Sequence, residues 1–283
     1  IINALQQRVE HGVFGYGDTP HELINTVIQR MAARYGWQVE ADWLILLPGV
    51  VSGLNLCVRA FTDAGQGTIA PTPIYPPFRS AAKLADRPQL NLQLHLEQGR
   101  WLMDLAAAAP QLTGSEKLLM LCNPQNPGGT VYRRQELEAQ LAFAQHHDLV
   151  VCSDEIHSDL ILEPGVQHIP FASLSEDAAQ RSVTLISPSK SFNIAGLGAS
   201  LAIIPNKSLR ERFKRQRKGV VPDVDILAQV AATAAWRDGQ PWLDAQLAYL
   251  RANRDRLVAG VNAIDGLSLA SPEGTYLGWI NAQ

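Results

Sequence analysis

Cysteine is scarce in this chain: Cys57, Cys122 and Cys152 are an odd number, without the spacing of metal ligands. That excludes a small disulfide-stapled scaffold and a cysteine-built metal centre, so no metal is expected and a reducing, cytoplasmic setting is. Cys122 and Cys152 each close an apolar run, where a free thiol behaves as a small buried hydrophobe. No apolar run approaches membrane-spanning length, so no membrane association is expected. The first residues, Ile1-Ile2-Asn3-Ala4-Leu5, lack the basic head and long apolar stretch of a secretory signal. They also lack a Met and read as helix interior, the expectation for a piece of a longer chain. Neither sign of charge dominates: 24 basic and 27 acidic residues leave a net charge of -3. The densest basic run, 210–218, alternates with apolar positions and reads as the wet face of a helix, so no nucleic-acid partner is expected. Internal repeats and low-complexity linkers are absent too.

What the chain does have is an ordinary globular composition, 46% apolar and 18% charged, over 283 residues. Short apolar runs alternate with amphipathic segments. The first clear helix opens at Thr19-Pro20, with Thr19 placed to cap and Pro20 in the first turn. Its stripe is Leu23, Ile24, Val27, Ile28, Met31 and Tyr35, and Gly36 stops it. Strands are expected over 44–47, 67–70, 90–94, 117–122, 149–153, 183–186 and 199–204. Most are uniformly apolar, as in strands covered on both faces. Helical patterns such as 134–146 separate them, so a parallel α/β sheet with crossover helices is predicted. After Pro205, helices over 207–218, 226–238 and 242–263 precede a short strand over 276–280. A large domain over 1–240 and the beginning of a smaller one over 241–283 follow from that change of character.

In such sheets ligands bind where strands end. Five polar, Gly- or Pro-rich clusters fall there: Gly49-Val50-Val51-Ser52, Thr72-Pro73-Ile74-Tyr75, the 123–129 run, the 153–157 run and the 187–193 run. Lys190 lies in a short polar turn after a buried strand. Flanking Ser187 and Ser189 offer a phosphate nest, and a lysine there can attack a carbonyl once its pKa is lowered. Asp154 ends a buried strand, where a carboxylate is costly unless paired; one use is to hold a protonated pyridine nitrogen. Asn126, set before Pro127, could bond a ring hydroxyl. Tyr75, between prolines in the loop, could lie on a planar ring. Taken singly, each has a plain reading: a surface lysine, a helix cap, a turn, an aromatic packed on proline.

In order and spacing they resemble something specific. Ser187-Pro188-Ser189-Lys190-Ser191-Phe192-Asn193 is similar to the Schiff-base lysine motif of fold-type I pyridoxal-5'-phosphate (PLP) enzymes, the aspartate aminotransferase superfamily. Asn123-Pro124-Gln125-Asn126-Pro127-Gly128-Gly129 resembles their Asn-Pro-x-Gly loop, and Ser153-Asp154-Glu155-Ile156-His157 their pyridine-nitrogen aspartate motif. The His after Asp-Glu-Ile, the Phe-Asn after Lys-Ser, and Val13-Phe14-Gly15-Tyr16-Gly17 resemble the MalY/PatB branch, the cystathionine β-lyase-like C–S lyases or cystalysins. The likeness runs through Tyr276-Leu277-Gly278-Trp279.

The resemblance implies an α/β fold of the PLP-dependent transferase type, with a mainly parallel seven-stranded sheet in the large domain and an incomplete small α+β domain. It implies that Lys190 binds PLP covalently and moves the α-proton, that Asp154 pairs with the ring nitrogen, and that Asn126 bonds the ring hydroxyl with His157 nearby. It places Tyr75 on the ring and gives the phosphate to the Val50 and Val51 N–H groups, Ser187 and Ser189. Tyr16 would reach the phosphate in a neighbouring subunit, so residues 1–20 lie near a homodimer interface with shared active sites. Two departures stand out. Gly128 replaces a Thr at a position expected to tolerate change. Ala195-Gly196-Leu197 stands where aspartate aminotransferases carry an Arg, as in the lyase branch. The family's substrate-carboxylate Arg and its N-terminal active-site segment lie outside the sequence, so the resemblance implies an incomplete chain. Three functions follow as alternatives: a C–S β-lyase acting on S-substituted cysteines, a class I/II aminotransferase, and a PLP-binding regulatory scaffold. Need for a 2-oxo acid separates the first two; turnover separates both from the third.

Overall fold

A computed structural model describes residues 1–282. In chain order the helices are α1 Ile2–His11, α2 His21–Tyr35, α3 Val50–Phe61, α4 Pro77–Leu84, the single turn α5 Leu105–Ala108, α6 Arg134–His146, α7 Glu176–Gln180, α8 Lys207–Arg217, α9 Ile226–Asp238 and α10 Gln240–Asn262. The strands are β1 Leu44–Leu47, β2 Gly67–Thr72, β3 Gln89–Glu97, β4 Arg100–Met103, β5 Glu116–Cys122, β6 Val150–Asp154, β7 Ser182–Ile186, β8 Ser200–Ile203, β9 Ser268–Leu269 and β10 Ile280–Asn281.

The main sheet runs β1-β8-β7-β6-β5-β2-β3-β4. Its middle, β7-β6-β5-β2-β3, is parallel throughout. Seven of these strands are the expected sheet. The eighth, β4, was not foreseen and pairs antiparallel with β3 at the edge. Its four residues, Arg-Trp-Leu-Met, carry no alternation and are all half-buried, so no pattern marks them. At the other edge β8 runs antiparallel to β7, and β1 antiparallel to β8. Two reversals restore direction, so β1 ends on the same side of the sheet as β5, β6 and β7.

Period-two alternation splits each central strand between two cores. Leu118, Met120 and Cys122 of β5 face the cluster containing Leu54, Val58 and Phe61 of α3, Phe78 of α4 and Phe213 of α8. Leu119 and Leu121 face the other way, against Leu137, Leu141 and Phe143 of α6. A third cluster joins Leu23 and Val27 of α2, Ala228 and Ala232 of α9, and Leu243 and Leu247 of α10 to Leu201 and Ile203 of β8. Covering both faces is why these strands read as solid apolar runs. All three cysteines are free and buried.

Two local expectations change. Helix α2 begins one residue later than expected, at His21, with Pro20 as its cap residue and no side-chain cap. Pro20 is extended (φ -62°, ψ 133°), and its carbonyl accepts the Leu23 and Ile24 N–H groups, so Thr19 stays outside the helix. Near the end, among the described residues, the strand is confined to Ile280–Asn281, which pairs with Ser268–Leu269. Tyr276 precedes this ladder because its backbone neighbours are bonded elsewhere. Gly36 does stop α2, with φ 65°.

Candidate active site at a topological switch point

From β2 the chain moves outward to β3, yet β5 lies on the opposite side of β2 and the later strands follow that way. The strand order therefore reverses between β2 and β5, and the crevice beyond their C-terminal ends is the expected ligand position in an open α/β sheet. The loop after β2 carries Tyr75 and the loop after β5 carries Asn126. They are stitched together: the Tyr75 N–H donates to the Asn126 carbonyl (3.1 Å). The Gln125 Nε2 donates to the Pro73 carbonyl (2.8 Å) while its Oε1 accepts from the Gly128 N–H (2.5 Å). Gln125 is fully buried, and the sequence reading assigned it no role. Nothing in an Asn-Pro-Gln-Asn-Pro string marks the glutamine as the bracket between two loops.

Gly128 corrects an expectation. A Cβ there would stand 2.6 Å from Gln125 Oε1 and 2.6 Å from Trp101 Cδ1. The Trp101 indole, on the unforeseen strand β4, and the bracketing amide occupy the space a threonine would need, so the position is not free to change.

Next along the crevice, β6 delivers Asp154, only 4% exposed. Its Oδ1 accepts one hydrogen bond, from the Ile156 N–H (3.0 Å). Burial pushes the carboxyl up to about 7; that hydrogen bond and the Lys190 ammonium oppose the rise, and Glu155 adds to it. His157, 2% exposed, has an Nδ1 without a partner. Burial and the Lys190 ammonium hold its imidazole down at about 4. Lys190, half-buried in the turn after β7, is thus the charge felt by both groups. Beside it the Ser191 hydroxyl is buried without a partner.

The turn is organised by Ser187, whose hydroxyl donates to the Ala199 carbonyl (2.6 Å) and accepts from the Ser189 N–H (3.1 Å). Its proton is therefore committed, and Ser189 is the serine left half-buried at the rim. Ala199 leads into β8, which lies against β1, and the Ser200 hydroxyl donates to the Leu47 carbonyl (3.1 Å). This lattice brings the N-terminus of α3 to the same end of the sheet. Val50 and Val51 are its first two residues, so their N–H groups have no intrahelical acceptor and face outward with the positive end of the dipole. Tyr75 is 39% exposed, and Tyr16 stands fully exposed in the segment after α1.

One further side chain joins the crevice. Tyr276 meets His157 ring to ring, 5.6 Å between centroids at 77°. Burial, and then the nearby Tyr75 phenol, raise its hydroxyl above the usual value. The sequence placed Tyr276 at a strand start and gave it no site role; its contact depends on a return of the chain across more than a hundred residues. Among the described residues there is no group of side chains fit to hold a metal ion, and no helix is long and apolar enough to cross a membrane.

Together these residues leave particular wants. There is a buried acid in need of a cation, an imidazole nitrogen and a hydroxyl in need of partners, helix-end donors suited to an anion, and a lysine among them. Comparison with known proteins places the chain in a family. The chain is 37% identical to cystathionine beta-lyase PatB of Bacillus subtilis over 285 residues, 99% of this chain and 73% of that protein. It superimposes on the crystal structure of OvoB with a TM-score of 0.98 at 68% identity, covering 99% of this chain and 74% of that one. Cystalysin from Treponema denticola, whose crystal structure contains a pyridoxal 5'-phosphate cofactor, gives a TM-score of 0.94 at 33% identity, covering 99% and 71%. The profile of the aminotransferase class I and II family matches residues 1–282, and the chain belongs to that family.

Proposed function

We propose that this chain acts as a PLP-dependent C–S β-lyase, taking S-substituted cysteines to a thiol, pyruvate and ammonia. The observation that carries the reading is the buried, under-bonded Asp154 carboxyl beside Lys190 at the switch point. Most of these wants correspond to a group on PLP: a ring nitrogen would suit Asp154, a ring hydroxyl His157 with Asn126, a phosphate the Val50 and Val51 N–H groups and Ser189, and an aldehyde Lys190. Ser187 contributes by ordering the phosphate turn, and Tyr75 would cover the ring. When bound, PLP supplies an electron sink for the carbanion at the substrate Cα.

The protein groups do the rest. Asp154, as a carboxylate, would keep a positive charge on the ring nitrogen. Lys190, with its amine free, would take the proton from the substrate Cα. With a thiolate-type substituent on Cβ, the Cβ–S bond would then break, the thiolate leaving as a thiol with the proton taken from Cα, and the released enamine would take up water to give pyruvate and ammonia. The lyase choice rests on the PatB relative at 37% identity. Tyr16 would complete the phosphate site of a second copy, making the working unit a homodimer, and residues 241–283 would begin a smaller domain. The three buried free thiols suit a cytoplasmic enzyme.

The test is pyruvate release from cystathionine by the PLP-loaded protein, with no 2-oxo acid present. Steady pyruvate formation is expected, falling at least about 10³-fold in Lys190→Ala. Turnover only after a 2-oxo acid is added would replace the reading with an aminotransferase. Bound PLP with no turnover of either kind would replace it with a binding role, and no visible cofactor band would overturn it altogether.

A further inference from the structure

We infer that Tyr276 is a positioning residue: its ring walls in the His157 imidazole, fixing the group that faces the cofactor. The chain is bound on both sides of Tyr276. Thr275 is fully buried in a left-handed conformation (φ 67°), its N–H donating to the Leu160 carbonyl (2.9 Å) and its Oγ1 accepting from the Leu277 N–H (3.2 Å). The Gly274 N–H donates to the Gly129 carbonyl (2.9 Å). The Glu273 carbonyl accepts from the Leu162 and Glu163 N–H groups (2.8 and 2.9 Å). The Glu273 carboxylate accepts from the Val131 N–H (2.9 Å), Arg100 Nε (3.1 Å) and an Arg133 guanidinium nitrogen (2.5 Å).

These anchors reach two segments of the site. Gly129 and Val131 follow the loop that carries Asn126, and Leu160 to Glu163 follow His157. Residues 273–275 therefore lock into the same framework that holds the site, and Tyr276 emerges from it edge-on to His157 (5.6 Å, 77°). A non-glycine left-handed residue just before an aromatic contact is held there only because the surroundings over-determine it. His157 gets no fixing hydrogen bond at Nδ1. The ring contact therefore supplies what a hydrogen-bond partner commonly supplies, an orientation. Lys190 is the charged group acting on His157, and Tyr75 the titratable group acting on Tyr276. This inference rests on the PLP reading for its meaning, but not for its geometry.

The experiment compares Tyr276→Phe, Tyr276→Leu and Tyr276→Ala in the wild-type and His157→Ala backgrounds. PLP affinity is read by fluorescence titration, and the His157 titration midpoint by NMR of the cofactor-free protein. Loss of an aromatic pair predicts that Tyr276→Ala weakens PLP binding about 2- to 10-fold. It also lifts the His157 midpoint from about 4 toward the ordinary ~6.5 as water reaches the ring. Tyr276→Phe keeps both values, and Tyr276→Leu falls between, which preserves the test if the alanine variant does not fold. In the His157→Ala background the Tyr276 substitutions have no further effect on affinity. The inference is overturned if Phe is as damaging as Ala, or if the Ala defect persists undiminished without His157. Failure of the wild-type protein to bind PLP would instead sink the cofactor reading, and the NMR midpoint would still decide the role of Tyr276.

Discussion

Asp154 and Glu155 are consecutive carboxylates at the end of one strand, both buried, yet the two sides they face are built on opposite rules. Glu155 points to the back. Its Oε1 accepts from the Ser153 hydroxyl (2.9 Å) and the Phe171 N–H (2.9 Å), and its Oε2 is bonded to His168 Nε2 (2.7 Å). Behind it Asp159 takes Arg30 (2.9 Å), Arg34 (3.0 Å) and the Tyr35 hydroxyl (3.2 Å), and the Tyr35 ring stands edge-on to His168. Asp154 points to the front and has one hydrogen bond, an unpartnered His157 nitrogen and an unpartnered Ser191 hydroxyl for company. At the back each carboxylate is held by several partners, although His168 keeps an unpartnered Nδ1, and that network fixes the strand end. The front is left unfinished in the way a ligand completes. Buried polar groups are almost always bonded within a protein, so a cluster of exceptions marks where the missing partner belongs.

Three substitutions break or sharpen this contrast. The largest effect is expected at the back: Glu155→Ala strands His168 and two further donors, and removing one member of a buried pair costs roughly 3–5 kcal/mol. Urea unfolding of the cofactor-free protein measures it, and a loss below about 1 kcal/mol would mean that the back network is not what holds the strand end. At the front the sign reverses. Asp154 is held above its unfolded pKa, from 3.8 up to about 7, so the folded state binds the extra proton between those values and loses stability as pH rises through them. Asp154→Asn therefore stabilises the cofactor-free protein by roughly 2–4 kcal/mol above pH 7, and the gain fades as pH falls from about 7 and is gone below about 4. Paired urea curves at pH 5 and pH 8 check it; an equal or negative change at pH 8 would mean that Asp154 has a partner after all. The smallest effect is at the loop bracket. Gly128→Ala must push aside Trp101 or Gln125, costing about 1–3 kcal/mol as overpacking does, and thermal unfolding reads it.

The two sides also differ in how far they could be read in advance. Lys190, Asp154, Asn126 and Tyr75 were legible because each closes or follows an apolar strand, and strand ends on one side of a parallel sheet must converge. Glu155 and His168 were not: thirteen residues apart, they meet only because the chain turns back over the strand end. Gln125 and Tyr276 were missed for the same reason.

The sequence by itself determined the alternation of buried strands and helices, since solid apolar runs of strand length need cover on both faces, and it determined which strand ends carry reactive side chains. It also determined the helix stop at Gly36 and the span of α6, where local propensity suffices. Tertiary structure alone decided the edge strand β4, the Trp101–Gln125 packing that excludes a side chain at Gly128, the division of two adjacent carboxylates between framework and site, and the meeting of Tyr276 with His157. Those depend on contacts between residues far apart in the chain, and the free energy of such contacts comes from burial and geometry that no local pattern encodes.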